Sequence, residues 1–416
     1  MSETNFAPMS RLKVLELGHI VAGPTAGQIL ADLGAEVIKI ESVDGGDQAR
    51  SMPGPMSSMF NFLNRNKRSL ALNLKGEGKE IFLKLANDCD VVIDNFAYGA
   101  IDRLGIGYEV ISKTNPRIIW LSIKGYLPGP REEQPMLDEL AQMAGGLAFM
   151  TGTADRPSRA GASVIDMGAA TYGTIAVLAA LRQREIGNMD GQFITAGLYE
   201  TSAYLVGQWM AVAQHSDEPS VPVSTIRQGT RMGFAIYRLF NTLDGQQIFV
   251  GITSDAHWKR FCASLERPDL YADVRFLDNA GRLAHRGELI PFLEKIFQEM
   301  DLADIDARLR TANIPCSPMR RPDQLADEEH LNVSGQLVET RLSNGRLAKL
   351  PKLPIRATGF DLDARRDAPV LGSDTESILN ELGYSGKEIQ RLVDSKAILI
   401  THPQVNPLIQ DTVGTS

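Results

Sequence analysis

Within its first 125 residues the chain switches repeatedly between two hydrophobic periods, and that alternation leaves few folds open. Leu12–Gly18 (LKVLELG) is a short apolar run ending in glycine, the pattern of a buried strand. Pro24 suits a first helical turn, and AGQILADLG carries apolar residues at helical spacing as far as Gly34. Ala35–Glu41 (AEVIKIE) returns to alternation. Ser69–Leu74 (SLALNL) reads as a third strand and GKEIFLKLAND as a helix. Asp90–Phe96 (DVVIDNF) and Arg117–Ile123 (RIIWLSI) read as two more strands, with a short helix around Ala100–Leu104 between them. Strand–helix–strand units of this kind require parallel pairing with helices on the sheet faces. The predicted fold is therefore α/β, a Rossmann-like doubly wound parallel sheet. Its ligand loops should lie at the carboxyl ends of the strands, near His19–Pro24, Glu41–Arg50, Asn95–Gly99 and Lys124–Pro130.

Beyond the sheet, Met136–Phe149 and Met167–Arg184 read as helices rich in small residues. From Gln214 to Thr230 the pattern lapses into proline, serine and charge, as in a linker. FAIYRLFNTLDGQQIFVGI then reads as two strands joined at Asp244-Gly245, a hairpin signal. Helices over His257–Leu265 and Arg286–Arg310 complete a smaller α+β domain ending near Pro318. Close to the C-terminus, Ser385 and Glu388 form a capping box, with Tyr384 and Ile389 placed as its hydrophobic staple.

Composition excludes several functions. With 43% apolar and 23% charged residues the chain is not disordered, and its net charge of −8 argues against nucleic acid as a partner. Cys89, Cys262 and Cys316 are scattered without a C-x-x-C, which fits a reducing compartment better than a disulfide framework or zinc ribbon. The N-terminus lacks a basic region followed by an apolar one, and the most apolar helical stretch, Gly173–Leu181, is too short to span a bilayer. A cytoplasmic protein without membrane contact is expected. The first strand–helix turn reads G-H-I-V-A-G-P, not G-x-G-x-x-G, so a nicotinamide dehydrogenase is disfavoured. G-x-x-x-x-G-K-[ST], G-x-S-x-G and metal-ligand spacings are also missing from the sequence, and no metal is expected.

One carboxylate stands out. Asp166, in RAGASVIDMGAATYG, follows Val164 and Ile165 at a helix start and is surrounded by Gly161, Ala162, Ser163, Gly168, Ala169 and Ala170. Such a position admits a ligand closely, and the helix N-terminus favours the ionised form. An ionised, partly desolvated carboxylate is a competent nucleophile toward a thioester; the alternative is a plain helix N-cap. Asn95-Phe96 closes a strand where a ligand would sit, or else caps its own turn. Arg103 and Lys124 suit phosphates or a solvated surface. Arg65, Lys67 and Arg68 read as an exposed turn, and His19 as a structural histidine of the first loop. Gly145-Gly146 is costly inside a helix, so a neighbouring helix or a ligand must approach there.

These residues fall in segments that resemble the class III coenzyme A transferases, the family of formyl-CoA and carnitine CoA-transferases. The resemblance runs through LKVLELGHIVAGPTAGQILADLGAEVIKIE, NRNKRSLALNLK, DVVIDNFAYGAIDRLG, LSIKGY, the stretch to Asp166 and LAALRQREIGNMDGQ. It continues through the hairpin, NIPCSPM and VLGSDTESILNELGYS, nearly the whole chain in order. It implies that Asp166 is the nucleophilic aspartate. It implies coenzyme A contacts at Val21, Ala22, Leu72, Asn73, Leu74, Lys75, Asn95, Phe96, Ala97 and Arg103, with Lys124 a further candidate and Asp138 near the thioester. A homodimer of interlocked rings is implied, with acyl-CoA and a small carboxylic acid as partners and no permanently bound cofactor. The implied organisation is a large domain opening with 1–213, a linker at 214–232, a small domain at 233–325, and a segment at 326–416 returning to the large domain.

There are departures from formyl-CoA transferase. Its glycine-rich loop corresponds to PSVPVSTIRQGTRMG, which has only Gly229 and Gly233, and Val21 replaces a glutamine. Arg159, Arg227 and Arg231 offer guanidinium groups suited to a second carboxylate. RAGASVID and RQGTRMGFAIY are similar to members using succinyl-CoA and short dicarboxylates such as mesaconate, itaconate or malate. The alternatives are a 2-methylacyl-CoA racemase, whose histidine position is held here by Leu137, or a non-catalytic CoA-binding protein.

Overall fold

The computed structural model describes residues 7–187, 190–216, 218–228 and 233–402, apart from the side chains of 227 and 228. Residues up to Leu147, Ala160–Gln208 and those from Glu329 onward form one compact unit. Ala148–Arg159 and Trp209–Glu328 form a second.

The first unit is organised by β1 (Lys13–Glu16), β2 (Glu36–Ser42), β3 (Lys67–Leu72), β4 (Val91–Asp94), β5 (Ile119–Lys124) and β6 (Gln192–Gly197). These pair in parallel in the order β3-β2-β1-β4-β5-β6. Successive residues of each strand feed opposite faces. Val14, Val37, Val91, Ile93, Ile119 and Leu121 join one apolar cluster. Leu15, Ile38, Ile40, Leu70, Val92 and Trp120 join another. A sheet buried on both faces is what the near-continuous apolar runs require.

Four helices position the chemistry: α1 (Ala22–Asp32), α2 (Asp138–Ala144), α3 (Val164–Gly187) and α4 (Leu198–Leu205). Nearly every residue of α1 is buried, which its run of small residues permits. A Cβ at Gly27 would stand 2.1 Å from Glu16 Oε2, and one at Gly23 would stand 2.6 Å from Gly18 Cα. The 24-residue α3 exceeds the stretch expected from sequence and is long and apolar enough to cross a membrane. It packs against α1, β5 and β6.

The second unit holds a three-stranded antiparallel sheet, β7 (Tyr237–Asn241), β8 (Gln247–Gly251) and β9 (Cys316–Pro318), with helices over its apolar cluster. Asp244-Gly245 makes the β7–β8 turn, Gly245 at φ +71°. The single helix expected over Arg286–Arg310 is two, Arg286–Gln298 and Leu302–Thr311. The stretch expected as a linker contains a helix at Val223–Gln228. In the first unit, β10 (Leu337–Arg341) and β11 (Leu347–Pro351) form a hairpin, and β12 (Ile398–Leu399) adds antiparallel to β3. Ser385 and Glu388 make the capping box.

Three further expectations are corrected. β3 begins at Lys67, not Ser69, because Lys67 is drawn inward by Glu16. The reading of Arg65, Lys67 and Arg68 as an exposed turn fails as well, because each finds a carboxylate partner. Arg65 pairs with Asp32 and Lys67 with Glu16, both buried, and the half-buried Arg68 meets Glu36 and Glu381. The helix expected over Met136–Phe149 breaks at Gly145-Gly146 into α2 and a short helix, Leu147–Thr151.

Gly27→Ala should destabilise the protein by about 1–3 kcal/mol, since its methyl group would strike a fully buried carboxylate. Gly287→Ala, where nothing lies within 4 Å of the added carbon, serves as the control and should be neutral or stabilising. Denaturant unfolding of both variants checks the difference.

Candidate active site

Because the strand order reverses direction between β1 and β4, a crevice opens at their carboxyl ends. The loop after β1 enters it in a constrained form. Ile20 has φ +65°, a left-handed conformation costly for a β-branched residue. Hydrogen bonds hold it there. Lys39 Nζ donates to Gly18 O at 2.8 Å, and the Ile20 N–H donates to Asp47 Oδ1 at 3.0 Å. Asn95 binds both main-chain groups of His19, accepting from its N–H at 2.9 Å and donating to its carbonyl at 3.0 Å.

Beneath this loop lies a charge cluster with no solvent contact. Lys39 meets Glu16 at 2.7 Å and Asp47 at 2.8 Å, and Lys67 meets Glu16 at 2.5 Å. Burial opposes the charge on Lys39, but Glu16 and Asp47 outweigh it and raise its pKa. Burial also opposes the charge on Asp47, yet Lys39 holds that carboxyl down at about 2. Lys67 falls to about 8, chiefly by burial and against the pull of Glu16. His19 faces Phe96 edge-on, and burial together with Lys39 lowers its pKa. Its Nδ1 is buried without a hydrogen-bond partner among the described residues.

Asp166 lies in the first turn of α3 and is not its N-cap. The carboxylate that serves the helix end belongs to Asp138, the first residue of α2. Asp138 Oδ2 accepts the N–H groups of Ile165 at 2.8 Å and Asp166 at 3.0 Å. The expectation that the helix terminus favours ionised Asp166 is therefore overturned. Burial, then the neighbouring Asp138 carboxylate, push Asp166 up to about 7. Around the pair the helices approach closely. A Cβ at Gly145 would stand 2.3 Å from the Ser202 side chain on α4, and one at Gly168 would stand 3.0 Å from Thr201. The approach at Gly145 is thus a packed helix. Gly146, at φ +89°, ends α2's direction.

The other residues singled out from sequence fall mostly at the same edge of the sheet. Val21 and Ala22 are buried where α1 begins. Leu72 ends β3; Asn73, Leu74 and Lys75 make the turn after it, with Asn73 Oδ1 accepting the Lys75 N–H. Asn95, Phe96 and Ala97 follow β4. The side chain of Asn95 is spent on His19, and that of Lys124 on Asp94 Oδ1 and the Phe96 carbonyl, both at 2.7 Å. Arg103 is exposed. Arg159 is exposed in the second unit. Arg231 and the side chain of Arg227 lie outside the described residues. Next to Asp94 and Lys124 is a cavity of about 360 Å³ walled by Tyr98, Tyr108, Trp120, Tyr126 and Phe193.

Sequence reasoning missed Lys39 and Asp47 as supports of the first loop. A lysine inside the apolar alternation of AEVIKIE was the available signal for Lys39, and Asp47 had none.

The arrangement offers a carboxylate of raised basicity in an α/β unit whose crevice suits a nucleotide-like ligand, as in an acyl-transferring enzyme. Solved structures agree on the fold. A CaiB/BaiF family protein from Brucella suis superimposes with a TM-score of 0.81 at 29% identity, covering 90% of this chain and 99% of that one. The hypothetical protein Rv3272 from Mycobacterium tuberculosis superimposes with a TM-score of 0.75 at 25% identity, covering 90% and 99%. The family profile described as CoA-transferase family III matches residues 9–375. A formyl-CoA:oxalate CoA-transferase from Rhodopseudomonas palustris (strain BisA53) is 31% identical over 93% of this chain and 96% of its own. One from Bradyrhizobium sp. (strain ORS 278) is 31% identical with the same coverage. The chain belongs to CoA-transferase family III; it is a CoA-transferase that takes CoA thioesters as substrates.

A carboxyl that titrates near 7 in the folded chain and near 4 when unfolded binds more protons folded than unfolded across that window. Stability contributed by this group therefore falls as pH rises from about 4 to about 7, and the penalty is full above that. Asp166→Asn removes it. The variant should melt close to the parent at pH 4, increasingly above it as pH rises toward 7, and by a constant margin beyond that, read by thermal unfolding at several pH values.

Proposed function

We propose that Asp166 carries CoA between two carboxylic acids through covalent intermediates. Its carboxylate attacks the donor acyl-CoA carbonyl, forming an acyl-aspartyl anhydride and releasing CoA thiolate. The thiolate attacks the aspartyl carbonyl, giving an aspartyl-CoA thioester and freeing the donor acid. The acceptor carboxylate then attacks that thioester, regenerating an anhydride and thiolate. Attack of thiolate on the acceptor's own carbonyl forms the new acyl-CoA and restores Asp166. Each step exchanges one acyl bond for another, so bonds and charge balance without ATP. What carries this reading is the position of Asp166 in the first turn of α3, buried enough to raise its basicity while its main-chain N–H is held by Asp138. A carboxylate of raised pKa is a better nucleophile than an ordinary one.

The substrate pair that the sequence supports is succinyl-CoA as donor and a short dicarboxylate (mesaconate, itaconate or malate) as acceptor, with guanidinium groups drawn from Arg159, Arg227 and Arg231. A second reading, formyl-CoA with oxalate, is favoured by the names of the relatives above. The scarcity of glycine between Pro219 and Gly233, and Val21 in the first loop, weigh against it. Val21, Ala22, Leu72–Lys75, Asn95–Ala97, Arg103 and Lys124 border the proposed CoA path. The working form is read as a cytoplasmic homodimer with no resident cofactor.

Asp166→Ala should abolish transfer while leaving thermal unfolding cooperative. Retained turnover refutes the assignment. Incubation with acyl-CoA and hydroxylamine, followed by peptide mass spectrometry, should place the trapped species on Asp166. In the parent, kcat/KM should rise with pH to a plateau above about 7, as the free carboxyl ionises. A panel of succinate, mesaconate, itaconate, malate and oxalate, with each donor, separates the two substrate readings by which acid receives CoA.

A further inference from the structure

Behind the carboxylate pair stands a glutamine with no solvent exposure. Gln142 lies one helical turn beyond Asp138 on α2. Its amide nitrogen donates to Asp138 Oδ1 at 2.6 Å, and its amide oxygen accepts the main-chain N–H of Ala160 at 2.8 Å. The other Asp138 oxygen receives the N–H groups of Ile165 and Asp166. One neutral side chain thus joins three segments: α2, the turn that precedes α3, and the first turn of α3. All three belong to the same compact unit.

We propose that Gln142 is a positioning residue for the reaction at Asp166. It fixes the plane of the Asp138 carboxylate so that a single oxygen clasps the start of α3 and aims the Asp166 side chain. This rests on the reading of Asp166 as nucleophile. The physical need is plain. A carboxylate turns easily about its last torsion, which has broad, shallow preferences. Without a donor at Oδ1, Asp138 is free to swing and release the two N–H groups. A reacting atom misplaced by about 1 Å costs on the order of 10²-fold in rate. An amide suits the position because it donates to an ionised neighbour and accepts from the backbone without adding charge. Asp138 also sets the electrostatics of Asp166, whose carboxyl burial and that neighbour push up to about 7, so loosening Asp138 must move the pH response as well.

Gln142→Met keeps the length and burial of the side chain but loses both hydrogen bonds. Gln142→Glu keeps an acceptor for Ala160 and sets a carboxylate oxygen against Asp138. Asp138→Asn removes the charge facing Asp166. In the full-length enzyme, Gln142→Met should lower kcat by about 10- to 100-fold with KM for acyl-CoA within about twofold. Gln142→Glu should shift the acid limb of kcat/KM to higher pH, and Asp138→Asn should shift it lower. If Gln142→Met does not fold, the two opposed pH shifts carry the test. Parental kcat in Gln142→Met, or a parental acid limb in both Gln142→Glu and Asp138→Asn, overturns the proposal. A covalent adduct on Asp166 in the parent, with those parental values in the variants, removes only the role of Gln142. Absence of any adduct in the parent removes the nucleophile itself.

Discussion

The fold closes over a neutral quartet of buried charges: Glu16 and Asp47 against Lys39 and Lys67. Ions in a protein interior are tolerated only when paired and hydrogen-bonded, and stripping one partner costs about 3–5 kcal/mol. The quartet couples distant parts of the chain. Glu16 ends β1, Lys39 lies in β2, Lys67 begins β3, and Asp47 sits in the loop after β2. Lys39 and Asp47 also reach upward to Gly18 and Ile20, so the electrostatic centre and the strained loop at the crevice are one object. Gly27 is a glycine because Glu16 needs its space.

A second electrostatic arrangement governs the nucleophile. Helix N-termini ordinarily stabilise anions. Here that capacity is taken by Asp138, which leaves Asp166 in the field of a like charge and short of water. The arrangement raises the basicity of the carboxyl at the position where attack on a thioester would begin. The same protein thus uses opposite charges to pin a loop and like charges to tune a side chain.

Much of this was legible in the sequence, and the parts that were not share a cause. Strands β1, β2, β4 and β5 announce themselves by local period. β6 is a half-exposed edge strand and β12 only two residues long, too weak or too short for a pattern. Lys67, amid Asn, Arg and Ser, reads as surface because its partner Glu16 lies far back in the chain. The helix start at Asp166 was readable; its cap was not, since Asp138 comes from another helix 28 residues earlier. Gly145-Gly146 signalled a close approach, but only the packed structure shows that Ser202 makes it. Local chemistry writes the elements, whereas buried polar pairings across the chain escape any window.

The two-residue strand β12 has a temporal consequence. Its pairing with Ala71 and Leu72, and the Asn73 N–H held by the Ala397 carbonyl, complete the edge from which the Asn73–Lys75 turn departs. During synthesis, β3 leaves the ribosome some 325 residues ahead of that partner, on the order of half a minute at ordinary elongation rates. Until then the part of the β3 edge that β12 covers has no strand beside it, while Asp374 and Thr375 take the main-chain groups of Ser69 and Ala71. A strand made late in synthesis therefore seals the margin of a sheet begun early.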